Sequence, residues 1–73
     1  MREEFKDGYV IKHFESTTEW YKDGKRHRED GPAIEFRSGK SPLWFYKGVP
    51  YSSWEVKKLV LRKKIENILK KDP

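Results

Sequence analysis

The sequence predicts one α+β domain over residues 1–73, in which a small antiparallel β-meander of three or four strands precedes a single amphipathic, basic C-terminal helix. Three observations predict this class. Gly-containing turn signals divide residues 9–51 into short segments rich in aromatic and β-branched residues, which favour strands. Gly and Pro are then absent from residues 52–72, where the apolar residues no longer alternate as they do in a strand. A chain of 73 residues also leaves no room for a second domain.

The predicted strands lie between four turns, each of which has a glycine where a tight turn requires a positive φ: Asp7-Gly8, Asp23-Gly24, Ser38-Gly39 and Lys47-Gly48. Asp23-Gly24 is the strongest turn signal, because Asp-Gly between strand-like segments is a favoured two-residue hairpin turn. The predicted strands cover residues 9–14, 17–22, 33–37 and 43–47. These four segments lie within the β-hairpin region, residues 9–51.

The helix is predicted over residues 53–70, within a helical region of residues 52–71. Ser52 and Glu55 have the spacing of a capping box, in which each side chain bonds the other residue's backbone N–H. The following residues continue without a glycine or proline until Pro73. A helix is therefore expected to begin immediately after Ser52.

When successive residues are placed 100° apart around the helix axis, the apolar residues of this helix fall into two groups. One group contains Trp54, Leu61, Ile65, Ile68 and Leu69, and the nearly opposite group contains Val56, Leu59 and Val60. One helix cannot bury both sides against a single sheet. Either the strands enclose the first turns, or one side contacts another molecule. We therefore predict a homodimer whose interface contains Leu61, Ile65, Ile68 and Leu69.

The net charge of +5 is unevenly distributed. Residues 1–51 contain ten Lys and Arg against nine Asp and Glu, whereas residues 52–73 contain seven against three. Most of the excess positive charge therefore belongs to the helical region. An anionic partner is expected, and the helix is its expected contact.

Several classes of site are excluded by composition. Without cysteine, the chain has no disulfide and no thiolate metal site, and the two histidines, His13 and His27, lack the spacing of a ligand set. No metal or cofactor is therefore expected. No apolar run approaches the roughly 20 residues of a membrane span, and the first residues do not resemble a signal peptide. We expect a cytoplasmic protein without membrane contact.

The chain contains a degenerate repeat with a period of 24 residues. The segment that starts at Trp20 aligns with the segment that starts at Trp44, and each has a glycine four residues after the tryptophan. We expect the repeat and the polar loop after its first copy to encode the architecture. These structural residues are Trp20, Gly24, His27, Asp30, Gly31, Pro32, Trp44 and Gly48.

Residues 20–36, WYKDGKRHREDGPAIEF, carry a family resemblance. They are similar to the Trp-Tyr-x-x-Gly-Lys-x-His-Arg-Glu-Asp-Gly-Pro-Ala repeat of many small phage and prophage proteins, which is loosely similar to MORN-type variant repeats. The second copy departs from the pattern, because residues 49–52 replace the Lys-x-His-Arg run. The resemblance covers residues 9–52 and implies a β-hairpin repeat without catalytic activity, located in the host cytoplasm. It also implies binding that disables host machinery, such as a defence factor.

Two interpretations of the polar loop are open. His27 could act as a general base oriented by Glu29 or Asp30, or these groups could hydrogen-bond the loop and fix its turn into Gly31-Pro32. The second interpretation is preferred, because repeat motifs usually encode their own fold. We therefore expect a protein that is not an enzyme.

Basic side chains near aromatic rings are typical of proteins that bind single-stranded nucleic acid. The candidate nucleic-acid-binding residues are Lys57, Lys58, Arg62, Lys63, Lys64, Lys25, Arg26 and Arg28, while Lys22, Lys40 and Lys47 also lie close to the rings in sequence. The competing interpretation is that the rings form the core and the lysines a solvated surface. We expect binding of nucleic acid, with RNA favoured over DNA. The alternative is a protein-interaction module that occupies a host protein directly.

Overall fold

A computed structural model describes residues 1–70, in which seven short strands precede one helix. The elements are β1 (Arg2–Lys6), β2 (Tyr9–His13), β3 (Thr17–Lys22), β4 (Lys25–Arg26), β5 (Ile34–Phe36), β6 (Trp44–Tyr46), β7 (Val49–Tyr51) and α1 (Ser53–Lys70). The predicted α+β class is confirmed. Residue 71, which the sequence assigned to the helical region, lies outside the described residues.

Five of the strands form one antiparallel sheet. β1, β2, β3 and β4 are neighbours in chain order, and β5 pairs with β3 on the same edge as β4. β4 pairs with the end of β3, whereas β5 pairs with residues 17–19 at its beginning. β6 and β7 form a second hairpin, which an isolated bridge between Ile34 and Leu43 connects to the sheet.

The four predicted strands correspond to β2, β3, β5 and β6, but the expected number of three or four was too low. β1 has charged residues at four of its five positions and is exposed throughout, so it has no apolar pattern to detect. β4 contains only Lys25 and Arg26, and β7 contains a proline. Each of these three strands is one arm of a hairpin whose turn was predicted correctly.

The 24-residue repeat is a repeat of hairpin geometry. Tyr21 pairs with Arg26 in the first copy, and Phe45 pairs with Pro50 at the same register in the second. Both central residues of each turn have positive φ, 53° and 77° at Asp23-Gly24 and 52° and 85° at Lys47-Gly48. This pattern is that of a type I′ turn, whose twist matches the twist of the strands that it joins.

The strand that leads into the second hairpin departs from the repeat. Val10 pairs with Tyr21 in the first copy, so the 24-residue offset would pair Ile34 with Phe45. Ile34 instead bridges Leu43, two residues earlier in the chain. The second hairpin is therefore displaced along β5, and this shift accompanies its pairing as a separate two-stranded sheet.

The helix begins as the capping box predicts. The Ser52 backbone N–H and hydroxyl donate to Glu55 Oε1 at 3.0 and 2.9 Å, and the Glu55 N–H donates back to the Ser52 hydroxyl at 3.4 Å. The two bonds from Ser52 lower the pKa of Glu55 below its ordinary value. Both residues thus satisfy backbone groups that a helix leaves without partners at its first turn.

One side of α1 covers the second hairpin and forms a small core. Tyr46, Val56 and Val60 are buried together, and Val56 has no exposed surface. Trp44, Tyr51 and Leu59 pack against this group. Of the two apolar groups in the helix, the one with Val56, Leu59 and Val60 therefore faces the strands. The strands enclose the first turns of α1, and every residue from Leu61 to Leu69 is exposed.

Candidate functional site

His27 is a buried polar side chain where the two hairpins meet. Its Nδ1 accepts a 2.8 Å hydrogen bond from the backbone N–H of Lys47 in the second turn. Nε2 therefore carries the proton of the neutral ring and donates to Glu29 Oε2 at 3.2 Å. The rings of Tyr9 and Tyr46 lie against the imidazole, with centroids 6.3 and 4.7 Å away. Both imidazole nitrogens are thus used to join the first hairpin, the loop and the second hairpin.

Glu29 extends this network toward the helix. Its backbone N–H donates to the Tyr9 hydroxyl at 3.2 Å, and its carboxylate lies 3.7 Å from the Lys63 Nζ. Partial burial by itself raises the pKa of Glu29, but the bond from His27 and the charges of Lys63 and Lys22 outweigh it, so the net pKa is lowered. The carboxylate is therefore held in its charged form, beside cations from two different elements.

Arg28 is occupied by the loop that follows the first hairpin. Its guanidinium carbon lies 3.7 Å from the centroid of the Trp20 ring, a close cation–π contact. Nε donates to Asp30 at 3.1 Å, and Nη1 donates to the Pro32 carbonyl at 3.2 Å. A Cβ at position 31 would lie only 2.7 Å from the guanidinium carbon, so this packing requires Gly31. Arg28, Asp30 and Gly31 together hold this loop.

A basic cleft of about 280 Å³ opens beside His27 where the two turns approach α1. We call it the turn cleft, and the residues that line it are Lys22, Asp23, Lys25, His27, Glu29, Lys47 and Lys63. Four lysines from three parts of the chain thus surround two carboxylates, which leaves a formal charge of +2. The volume lies just below the range of about 300–1,000 Å³ typical of small-molecule pockets.

The two turns are held side by side by backbone contacts. The Gly48 N–H donates to the Arg26 carbonyl at 2.8 Å, and the Arg28 N–H donates to the Phe45 carbonyl at 3.3 Å. The Lys25 side chain lies against the second turn, close to Gly48. Because these bonds fix the spacing of the hairpins, the lysines of both turns face one cleft.

Lys47 occupies an unusual backbone position. Its φ of 52° lies in the left-handed region, where Asn, Asp and Gly are favoured at this position of a type I′ turn. The first copy has Asp23 at the equivalent position. The bond from the Lys47 N–H to His27 supports the strained conformation. The second turn therefore presents a cation where turn chemistry alone would favour a smaller polar residue.

A second cleft of about 350 Å³ continues the basic surface along α1. We call it the helix cleft, and it is lined by Tyr46, Lys47, Leu59, Arg62, Lys63, Glu66 and Asn67. Lys47 and Lys63 line both clefts. The two clefts therefore adjoin, and the helix cleft adds the cation of Arg62 and the carboxylate of Glu66.

The eight cations predicted to bind nucleic acid are not all brought together. Lys25 and Lys63 line the turn cleft, and Arg62 and Lys63 line the helix cleft. Arg26 bonds to Glu19 and contacts aromatic rings, and Arg28 is occupied by the loop.

The other three predicted cations lie elsewhere on α1, and all are exposed. Lys57 is placed over the Trp44 ring, with Nζ 5.8 Å from its centroid, and Lys58 lies beside Trp54. Lys64 lines neither the turn cleft nor the helix cleft. The predicted set is thus spread over the first hairpin, its loop and different sides of the helix.

The aromatic rings of the repeat serve mainly in packing. The Trp20 ring is covered by Arg28 and contacts the edge of Tyr9, with centroids 5.2 Å apart. Trp44 packs against the small core. Both rings are partly buried, which leaves less of their surface for stacking with bases.

The opposite side of α1 is exposed and apolar. We call it the outward face, and it contains Trp54, Leu61, Ile65, Ile68 and Leu69, which expose from about half to about two thirds of their surfaces. This is the group that the sequence separated from Val56, Leu59 and Val60. Its residues include the four predicted for a homodimer interface.

Two cleft residues, Lys22 and Lys47, were noted near the rings in sequence but not singled out as a site. Lys22 lies directly before the Asp23-Gly24 turn, and Lys47 is the first residue of the Lys47-Gly48 pair. The 24-residue period places the two turns at the same point of each hairpin, so the sequence contains a signal that groups these two lysines. The addition of Lys63 from the helix required the tertiary structure.

Within residues 1–70, no group of three or more metal-binding side chains is arranged to hold an ion. No helix in that part of the chain is both long and apolar enough to cross a membrane. In comparisons with known proteins, no family model, curated protein or solved structure matches the chain. The resemblance to phage-type repeats therefore stays a prediction.

Proposed function

We propose that this chain is a small non-enzymatic protein that binds RNA, or another nucleic acid, through the turn cleft and the adjoining helix cleft. The observation that carries the proposal is the convergence of Lys22, Lys25, Lys47 and Lys63 on one cleft. Such a site binds the phosphate backbone, because lysines attract phosphates whatever the base sequence. If the phage-type resemblance holds, this binding would inhibit a host defence factor.

The geometry of the polar residues supports a binding protein rather than an enzyme. A general base needs a free nitrogen or oxygen within reach of its substrate. Both nitrogens of His27 have internal partners, and the Ser52 hydroxyl is part of the helix cap. Glu29 is engaged by His27 and Lys63. These groups are used to hold the cleft in shape.

Salt dependence tests the proposal. A labelled single-stranded RNA should bind at about 50 mM salt and lose about fifty-fold in affinity by about 200 mM, since four phosphate contacts predict a log–log slope near −3 for a single strand. Fluorescence anisotropy titrations would measure both values. Absence of binding at the lower salt concentration would overturn the proposal.

The exposed outward face favours a second candidate function, a protein-interaction module that occupies a host protein directly. Affinity capture from lysate, with and without nuclease, separates the two functions. A partner held through nucleic acid is released by nuclease, whereas a partner bound to the outward face is retained. Substitution of Ile65 by Glu should release only the second kind of partner.

A further inference from the structure

We propose that the outward face of α1 binds an amphipathic helix of a partner protein whose apolar stripe is bordered by carboxylates. The inference rests on the second candidate function, in which this side of the helix contacts a protein. It adds the chemistry of that protein, and it distinguishes an acidic partner from a second copy of the chain.

The apolar residues of the outward face have the spacing of a helix-pairing seam. Leu61, Ile65 and Ile68 follow one another at intervals of four and three residues, and Trp54 lies one heptad before Leu61. In heptad terms, Ile65 is at position a, and the other three are at position d. Each exposes about half of its surface or more. A second helix is the element whose side chains interlock with this spacing.

The borders of the seam are cationic. Lys57 and Lys64 follow one edge and Arg62 the other, while Lys58 interrupts the stripe between Trp54 and Leu61. All four cations are exposed. In paired helices, the residues beside the seam select the partner through charge, so these positions favour carboxylates opposite them and disfavour lysines.

The two carboxylates of α1 offset little of this charge. Glu55 lies at a flanking e position, one heptad before Arg62, but it accepts both hydrogen bonds from Ser52 in the helix cap. Glu66 lines the helix cleft with Lys63, on the side that adjoins the strands. A second copy of α1 would therefore bring four cations and one engaged carboxylate against the same set. An acidic helix buries the same apolar stripe and neutralises those charges.

The test uses the full chain and a labelled three-heptad peptide with Ile at a, Leu at d and Glu at the flanking e and g positions. Fluorescence anisotropy should give a micromolar Kd that weakens as salt is added. A peptide with Lys at e and g, and one with the same residues in scrambled order, should each bind at least about tenfold more weakly. The chain with Ile65→Glu should lose about tenfold in affinity for the Glu peptide, whereas Lys63→Ala should not change it.

Two peptide results would overturn the proposal: equal binding of the Glu and scrambled peptides, or no binding of the Glu peptide at about 100 μM. Two other occupants would also overturn it. One is a second copy of the chain, if the wild type sediments as a dimer that Ile65→Glu dissociates, and the other is a membrane, if the chain binds vesicles of anionic lipid more tightly than the peptide. If the chain captures a lysate protein through Ile65 yet ignores the Glu peptide, the second candidate function stands and the acidic partner is wrong. Should Ile65→Glu lose its helix by circular dichroism, the peptide comparison on the wild-type chain still decides the outcome.

Discussion

The backbone N–H of Lys47 donates to Nδ1 of His27 over 2.8 Å, and this bond joins the second hairpin to the first. Its donor belongs to the first central residue of a type I′ turn, and its acceptor is a buried imidazole. The bond fixes how close the two turns lie, and the cleft between them depends on that distance. The His-Arg-Glu-Asp-Gly-Pro run is thus the connector of the repeat.

Loss of the His27 side chain should destabilise the whole fold. His27→Ala removes the hydrogen-bond partner of the Lys47 N–H and one of the two partners of the Glu29 carboxylate, and it opens a cavity against Tyr46. We expect the free energy of unfolding to fall by about 3 kcal/mol, as measured by urea denaturation.

The matched control for that variant is the other histidine. His13 lies in β2, and its Nε2 pairs with Glu4 of β1 through an exposed 2.9 Å contact, so His13→Ala should cost no more than about 0.5 kcal/mol. If both histidines cost the same, His27 is not the connector of the two hairpins.

Gly31→Ala should displace Arg28 from the Trp20 ring. The added Cβ would lie 2.7 Å from the guanidinium carbon, which is held in place by Asp30 and the Pro32 carbonyl. We expect a loss of about 1–2 kcal/mol in the free energy of unfolding, because the guanidinium can shift but then gives up its contacts with Trp20, Asp30 and the Pro32 carbonyl.

A double-mutant cycle shows whether that loss comes from the guanidinium. In an Arg28→Ala background, the same Gly31→Ala change should cost little, which gives a coupling energy above about 1 kcal/mol between the two sites. Equal costs in the two backgrounds would show that position 31 acts through its backbone instead.

Glu29 should make the fold sensitive to acid. Its pKa in the folded chain lies below the ordinary value of 4.5, so the ionised carboxylate stabilises the fold above that pH. This stabilisation is lost as the pH falls through 4.5 and toward the lower folded pKa. The wild-type advantage over Glu29→Gln in urea denaturation should be constant above about pH 6 and shrink toward about pH 3.

Comparison of the wild type with Glu29→Gln separates the contribution of Glu29 to acid sensitivity from that of the other acidic groups. Glu4 and Glu55 also have lowered pKa values, but the wild type and Glu29→Gln both retain these two residues. An advantage that stays unchanged down to about pH 3 would mean that the bond from His27 and the lysine charges do not stabilise the carboxylate.

The sequence predicted those elements whose signals are local. The capping box of Ser52 and Glu55 located the start of α1, and the two apolar groups of the helix correspond to its buried side and its outward face. The Gly-containing turns located the hairpins. β1 was missed because its pairing with β2 depends on a turn and not on an apolar pattern.

The cleft was harder to predict because its cations are distant in the chain. Lys25 and Lys63 meet only because the turns are bonded side by side and the helix packs against β6. Arg28 shows the opposite case. Its position in a basic run suggested a ligand contact, but Asp30, Glu35 and Trp20 surround its guanidinium once the loop has folded.

We expect the nucleic acid to bind because of where the lysines lie in the two clefts, and not because of the net charge alone. Two double variants remove the same charge. Lys47→Ala with Lys63→Ala empties both clefts of their shared cations, whereas Lys40→Ala with Lys64→Ala removes cations that line neither cleft. Circular dichroism would first establish that both variants are folded.

The deciding measurement is the affinity of these two variants for a labelled single-stranded RNA, by anisotropy at several salt concentrations. We predict that the cleft variant loses at least about tenfold in affinity and that its log–log salt slope falls from near −3 to near −1.5, while the control variant stays within about threefold of the wild type. Equal losses in the two variants would contradict the account, because net charge alone would then explain the binding.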